Sequence, residues 1–140
     1  MPAGRILALD LGKRRIGLAL SDELGITAQG LETLQRTRVR DDLLKLTQLI
    51  RDKNVSLILM GNPVNMSGQE GRQSEWARDF AHRLEAVTGV AVKLWDERLT
   101  TVEAQRVLHE SGISQEKRSQ AVDRLSAVIL LESYLDSLQV

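Results

Sequence analysis

The chain reads as an α/β fold, a five-stranded mixed sheet in which strands one to three form an antiparallel meander and strands four and five run parallel, flanked by helices. Three observations predict it. Ile6–Asp22, ILALDLGKRRIGLALSD, holds two short apolar runs around a glycine and a basic trio, the pattern of a β-hairpin. Val55–Met60, VSLILM, is almost wholly apolar and short, as expected of a strand buried on both faces. Between and after these runs, leucines recur at helical spacing.

The elements follow in order. Ile26–Leu34 alternates loosely and is rich in threonine, so it reads as a third, antiparallel strand, with Gly25 marking a turn and Gly30 a bulge. Thr37 is placed to cap a helix from about Arg38 to Lys53, with Leu43, Leu44, Leu46, Leu49 and Ile50 toward the sheet. After the fourth strand, the loop Gly61–Gly71 offers Asn62, Asn65 and Ser67 as donors, and Ser67 with Glu70 suits a capping box. A second helix then runs to about Thr88, carrying Trp76, Phe80, Leu84 and Val87 on one stripe and His82 off it. Val90–Trp95 is the fifth strand. Thr100 and Glu103 suit a second capping box for a helix to about Glu110, and Ser111–Gln120 reads as a polar loop. The last helix is expected from about Ala121 to Leu138, with Leu125, Val128, Ile129, Leu131, Leu135 and Leu138 against the core.

Composition narrows the function classes. The 140 residues suit one domain spanning 1–140, and the 42% hydrophobic and 27% charged content is that of an ordinary globular protein. The absence of cysteine removes thiolate metal sites and suits a cytoplasmic location. No apolar run reaches the length of a membrane span, and the start MPAGR lacks the core of a secretory signal. Nineteen basic residues balance nineteen acidic ones, so net charge does not announce a nucleic-acid binder. Placement is more telling. Lys13, Arg14 and Arg15 crowd the hairpin turn, Arg36, Arg38 and Arg40 follow the third strand, and Lys117, Arg118 and Arg124 surround Asp123. Each cluster by itself is also what a solvated face looks like.

Acidic residues mark the candidate site. Asp10 interrupts an apolar strand, where an uncompensated carboxylate costs several kcal/mol. It either meets a cation at the strand's end or accepts hydrogen bonds from the Gly12–Arg15 turn. Asp96 and Glu97 end the fifth strand, and alternation sends them to opposite faces, so only one can share a face with Asp10. Asp123, in the first turn of the last expected helix, is also explained by the helix dipole.

The order of elements is the one expected of a ribonuclease H-like domain. LALDLGKRRIGLA, ILMGNPVNMSG, LWDERLTTVEA and VDRLSAVILLESYL occur in that order over nearly the whole chain, and together they resemble the YqgF/RuvX family. That family is described as Holliday junction resolvases and as nucleases maturing the 5′ end of pre-16S ribosomal RNA. The resemblance implies that Asp10, Glu97 and Asp123 are catalytic and hold Mg²⁺ or Mn²⁺, with Asp96 standing behind them. Beside them, Lys13, Arg14, Arg15, Asn62 and Asn65 are the expected nucleic-acid contacts, Thr100 or Thr101 positions Asp96 or contacts phosphate, and Arg98 pairs with phosphate or anchors the site internally. The expected partner is a four-way DNA junction, a ribosomal RNA precursor or both, with no membrane, and with a homodimer left open. An actin-like or sugar-kinase ATPase would need a second lobe for which 140 residues leave no room. A non-catalytic nucleic-acid-binding module of the same fold predicts lost carboxylates, and this chain retains all three.

Overall fold

Among the described residues one sheet organises the molecule, with strands in the order β3 (Ala28–Gln35), β2 (Arg15–Ser21), β1 (Arg5–Leu11), β4 (Val55–Asn62) and β5 (Val92–Asp96). The computed structural model describes residues 4–62, 72–96 and 115–138. β1, β2 and β3 form the antiparallel meander. β4 joins β1 in parallel and β5 joins β4 in parallel. The carboxyl ends of β1, β4 and β5 therefore lie along one edge, as the expected fold requires. Among the described residues no helix is long and apolar enough to cross a membrane.

The two faces of the sheet are built differently. One presents Leu7, Leu9, Ile16, Leu18, Ile58 and Met60 to α1 (Val39–Asp52) and α2 (Arg72–Thr88), which contribute Leu43, Leu46, Ile50, Phe80 and Leu84. The other carries small residues, Ala8 and Ala19, beside Leu59, and packs against Ala127, Leu130, Leu131, Tyr134 and Leu135 of α3 (Gln115–Ser137). Ile58 and Leu59 are fully buried on opposite faces, as the apolar run of β4 predicts.

Several expectations are corrected. β3 begins at Ala28 rather than Ile26, because the Ile26 and Thr27 amides donate to Asp22 Oδ1 at 2.7 and 3.1 Å and are taken by the turn. Gly25 serves that turn at φ +70°, as expected of glycine there. Gly30 is no bulge. It pairs in register with Ala19, and the irregularity lies between the Ile16 and Leu18 pairs. Gly30 is instead a point of close approach by α3, since a Cβ there would sit 2.7 Å from Arg124 Cγ.

Thr37 does not cap α1 in the expected manner. Arg38 takes the N-cap position without a side-chain bond, while the Thr37 amide and hydroxyl both donate to the buried Asp42 carboxylate, at 3.0 and 2.8 Å. Leu44 (62% exposed), Val87 (51%) and Leu138 (55%) lie outside the core expected to hold them, and at Leu44 it is the adjacent Leu43 that takes the inward position. Residues 115–120, read as loop, form the first turns of α3, because Gln, Glu, Lys and Arg are good helix formers whatever their polarity. The capping boxes at Ser67–Glu70 and Thr100–Glu103, and the helix expected to follow the second, lie outside the described residues.

Candidate nucleic-acid interface and acidic site

Asp10 is the anchor of the site. It is only 7% exposed, sits one residue before the end of β1, and by alternation with Ile6 and Ala8 belongs to the face covered by α3. Its partner on β2 is Gly17. On the other side Leu9 pairs with Met60, so the next position of β4 is Gly61. Neither adjoining strand thus contributes a side chain beside the carboxylate. Asp10 has a polar interaction of its own within the protein, and a carboxylate at this edge is the kind of oxygen donor that a hard divalent cation takes.

β4 and β5 bring Asn62 and Asp96 to the same edge, where their backbones pair. The side chains of both lie outside the described residues. β5 is tied to α3 through Trp95, whose indole N–H donates to Ser133 Oγ at 3.2 Å and whose ring meets Tyr134 edge-on at 5.1 Å. The strand that leads into Asp96-Glu97-Arg98 is thereby fixed against the helix that carries Asp123.

The longer α3 alters the meaning of Asp123. With the helix starting at Gln115, Asp123 lies in its third turn rather than its first. The positive end of the helix dipole, which fades within one turn, no longer accounts for a carboxylate there. Its backbone stands one turn before Ser126 and Ala127, both fully buried against the sheet. Ser126 Oγ has no hydrogen-bond partner there. The side chain of Asp123 is not among those described, and Glu97, Arg98, Asn65, Thr100 and Thr101 lie outside the described residues altogether. Among the described residues no three potential metal ligands come together.

The basic turn follows directly on Asp10. Gly12 N–H donates to the Arg15 carbonyl at 2.9 Å, which closes the hairpin and leaves Lys13 and Arg14 exposed at its tip. Arg15 belongs to β2, is half-buried and has polar contacts of its own. Lys13 and Arg14 are therefore the members of the trio presented to solvent. The sequence reading grouped Arg36 with a basic cluster without assigning it a role. Its guanidinium reaches across to this turn and donates to the Gly12 carbonyl at 2.6 Å and the Lys13 carbonyl at 3.2 Å. Gly17 falls within an expected strand, whereas Gly61, expected to open a loop, belongs with Asn62 to the end of β4, and neither is legible from sequence as a neighbour of Asp10.

Comparison with known proteins bears on the family and the fold. A protein of Koribacter versatilis named "Putative pre-16S rRNA nuclease" is 53% identical over 133 residues, covering 95% of this chain and 87% of that one. One of Bacillus subtilis with the same name is 46% identical over 136 residues, covering 96% and 99%. Among solved structures, RuvC of T. thermophilus in complex with a Holliday junction substrate superposes with a TM-score of 0.60 at 15% identity, covering 97% of this chain and 96% of that one. The Fowlpox virus resolvase, also solved with Holliday junction DNA, gives 0.58 at 14% identity, covering 97% and 99%. At such identities the structural matches speak for the ribonuclease H-like fold alone. A family model described as "RuvX: Holliday junction resolvase" matches residues 4–137, and the chain belongs to that family.

Proposed function

We infer that the protein is a divalent-metal-dependent endonuclease that hydrolyses phosphodiester bonds in structured nucleic acid, either a four-way DNA junction or the 5′ end of a pre-16S ribosomal RNA. The observation that carries this reading is the buried Asp10 carboxylate at the carboxyl edge of the sheet, with glycine on both neighbouring strands. Asp10, Glu97 and Asp123 would hold Mg²⁺ or Mn²⁺, which when bound supply a lowered pKa for an attacking water and charge stabilisation at the leaving oxygen.

The chain's own groups have the remaining work. Three carboxylates, if brought together there, would repel one another and resist ionising together, which favours the uptake of positive charge. Lys13 and Arg14, exposed at the turn that follows Asp10, draw the phosphate backbone toward the carboxylates. Arg98, Thr100 and Thr101, with Asn62 and Asn65, supply further phosphate contacts. Asp96 orients the ligands of the strand end.

The test is a parallel assay of binding and cutting on both substrates, with Mg²⁺ and with Mn²⁺, for the parent and Asp10→Asn. Asp10→Asn retains the shape and removes the charge. Cleavage is expected to fall by orders of magnitude while binding survives or tightens, because the lost interaction acts on the transition state. A parent that binds and does not cut would establish the non-catalytic module instead. An Asp10→Asn protein that cuts as well as the parent would remove Asp10 from the site.

A further inference from the structure

We propose that Arg36 is a positioning residue for nucleic-acid binding, one that orders the Gly12–Arg14 turn through its backbone carbonyls without touching the substrate. The proposal rests on the nucleic-acid reading above and adds to it a residue on a different strand.

Arg36 follows β3 immediately, and its N–H donates to the Arg14 carbonyl at 2.8 Å, extending the β2–β3 ladder by one step. Its side chain then folds over the turn, with Nη1 shared between the Gly12 and Lys13 carbonyls. The guanidinium lies 4.2 Å from the centroid of the Trp76 ring, a cation–π distance. Trp76 is itself held, 5.6 Å from the ring of the buried Phe80 in α2. Three consecutive turn carbonyls, those of Gly12, Lys13 and Arg14, are thus engaged by one residue that is clamped to the core.

This matters electrostatically. Carbonyl oxygens left pointing outward from a turn carry partial negative charge and repel a phosphate. Arg36 occupies them and adds a positive charge behind the turn. Lys13 and Arg14 are then presented next to Asp10 on a backbone that is already ordered. Without Arg36, the ordering would fall on the binding step, since immobilising a loop and its side chains costs free energy at association. A loss of that kind raises KM and Kd and leaves the chemical step alone. Lysine cannot replace the planar group fully, because it lacks the fork and the flat face that stacks.

The experiment measures cleavage kinetics, metal-free binding and amide hydrogen exchange for the parent, Arg36→Ala, Arg36→Lys and Trp76→Leu, each normalised to its folded fraction. For Arg36→Ala we expect KM and Kd to rise about 5- to 20-fold with kcat within about twofold, the size expected for losing a charge-assisted contact. Exchange at residues 12–15 should accelerate, and Arg36→Lys and Trp76→Leu should fall between parent and Arg36→Ala. Unchanged KM, unchanged exchange at the turn, or a fall in kcat alone would each overturn the proposal. Should Arg36→Ala not fold, the same KM-against-kcat split in Arg36→Lys and Trp76→Leu decides it. A parent that neither binds nor cuts nucleic acid overturns the functional reading as well, whereas a parent that does both and an Arg36→Ala that matches it overturn this proposal alone.

Discussion

Three buried or turn aspartates do different work here, and their places in the fold tell them apart. Asp42 accepts from the Thr37 amide and hydroxyl, five residues back, and so fastens the start of α1. Asp22 accepts from the amides of Ile26 and Thr27, and so closes the β2–β3 turn. Asp10 has glycine on either side in the sheet and lies at the edge where the parallel strands end. Asp22 yields a prediction with a definite sign. The Thr27 and then the Ile26 N–H hold its carboxyl below the ordinary value of 3.8. A carboxylate whose pKa is lower in the folded state contributes stability that is fully present above its unfolded pKa and is lost as pH falls through the folded one. Asp22→Ala should therefore be less stable than the parent at pH 7, and the charge-dependent part of that gap should shrink once the pH drops below 3.8. Denaturant melts at neutral pH and at about pH 3 would show it. A gap of the same size at both would mean the charge plays no part.

At the scale of elements, α3 is where sequence and structure part company, and the reason is physical. The apolar spacing predicts Leu125, Val128, Ile129 and Leu138 in the core alongside Leu131 and Leu135. The structure buries Val122, Ala127, Leu130 and Tyr134 with those last two, and leaves Leu125, Val128 and Ile129 half-buried. Apolar residues are spread around this helix, so periodicity alone did not select a face. What selects it is the sheet, whose Ala8, Ala19 and Gly30 let the helix lie close, a property visible only once three separate strands are side by side. The hairpin and β4, by contrast, were legible because their signals are local, a short apolar run bounded by turn residues. Asp10 was legible for the same reason, as a carboxylate out of place in such a run. Its glycine neighbours were not, because strand register is a tertiary fact. The close approach is testable at Gly30. A Cβ there would meet Arg124 Cγ at 2.7 Å and Cδ at 2.9 Å, with Val128 Cγ2 at 3.3 Å. The arginine is exposed and can swing aside, so Gly30→Ala should cost little, whereas Gly30→Val should destabilise by about 1–3 kcal/mol through overpacking. Adding Arg124→Ala to Gly30→Val should recover part of that loss in a double-mutant cycle. Strict additivity would place the clash elsewhere.

For the molecule as a whole, the balance of nineteen basic and nineteen acidic residues means that attraction to nucleic acid has to come from where charges sit. The topology does this placing. β1, β4 and β5 all end at one edge, and the β1–β2 turn leaves that same edge carrying Lys13 and Arg14 in the open. On the function proposed above, a basic turn beside the acidic site would draw in the phosphates that the carboxylates alone would repel. Because the net charge is zero, binding should be modest in strength and still depend on salt, the dependence counting the phosphates that are neutralised. Each contact to a phosphate contributes about 0.9 to the slope of log K against log salt on duplex DNA and about 0.7 on single strands. If Lys13 and Arg14 each meet one phosphate, the double variant Lys13→Ala/Arg14→Ala should flatten the slope on a four-way junction by roughly 1.8, and changing Arg15 as well should add little, since that residue is engaged within the protein. The measurement is a titration of the metal-free protein against labelled junction at several salt concentrations. A slope unchanged by the double variant would move the contact away from this turn, and a further drop on changing Arg15 would show that the third basic residue leaves its place in the fold to meet the substrate.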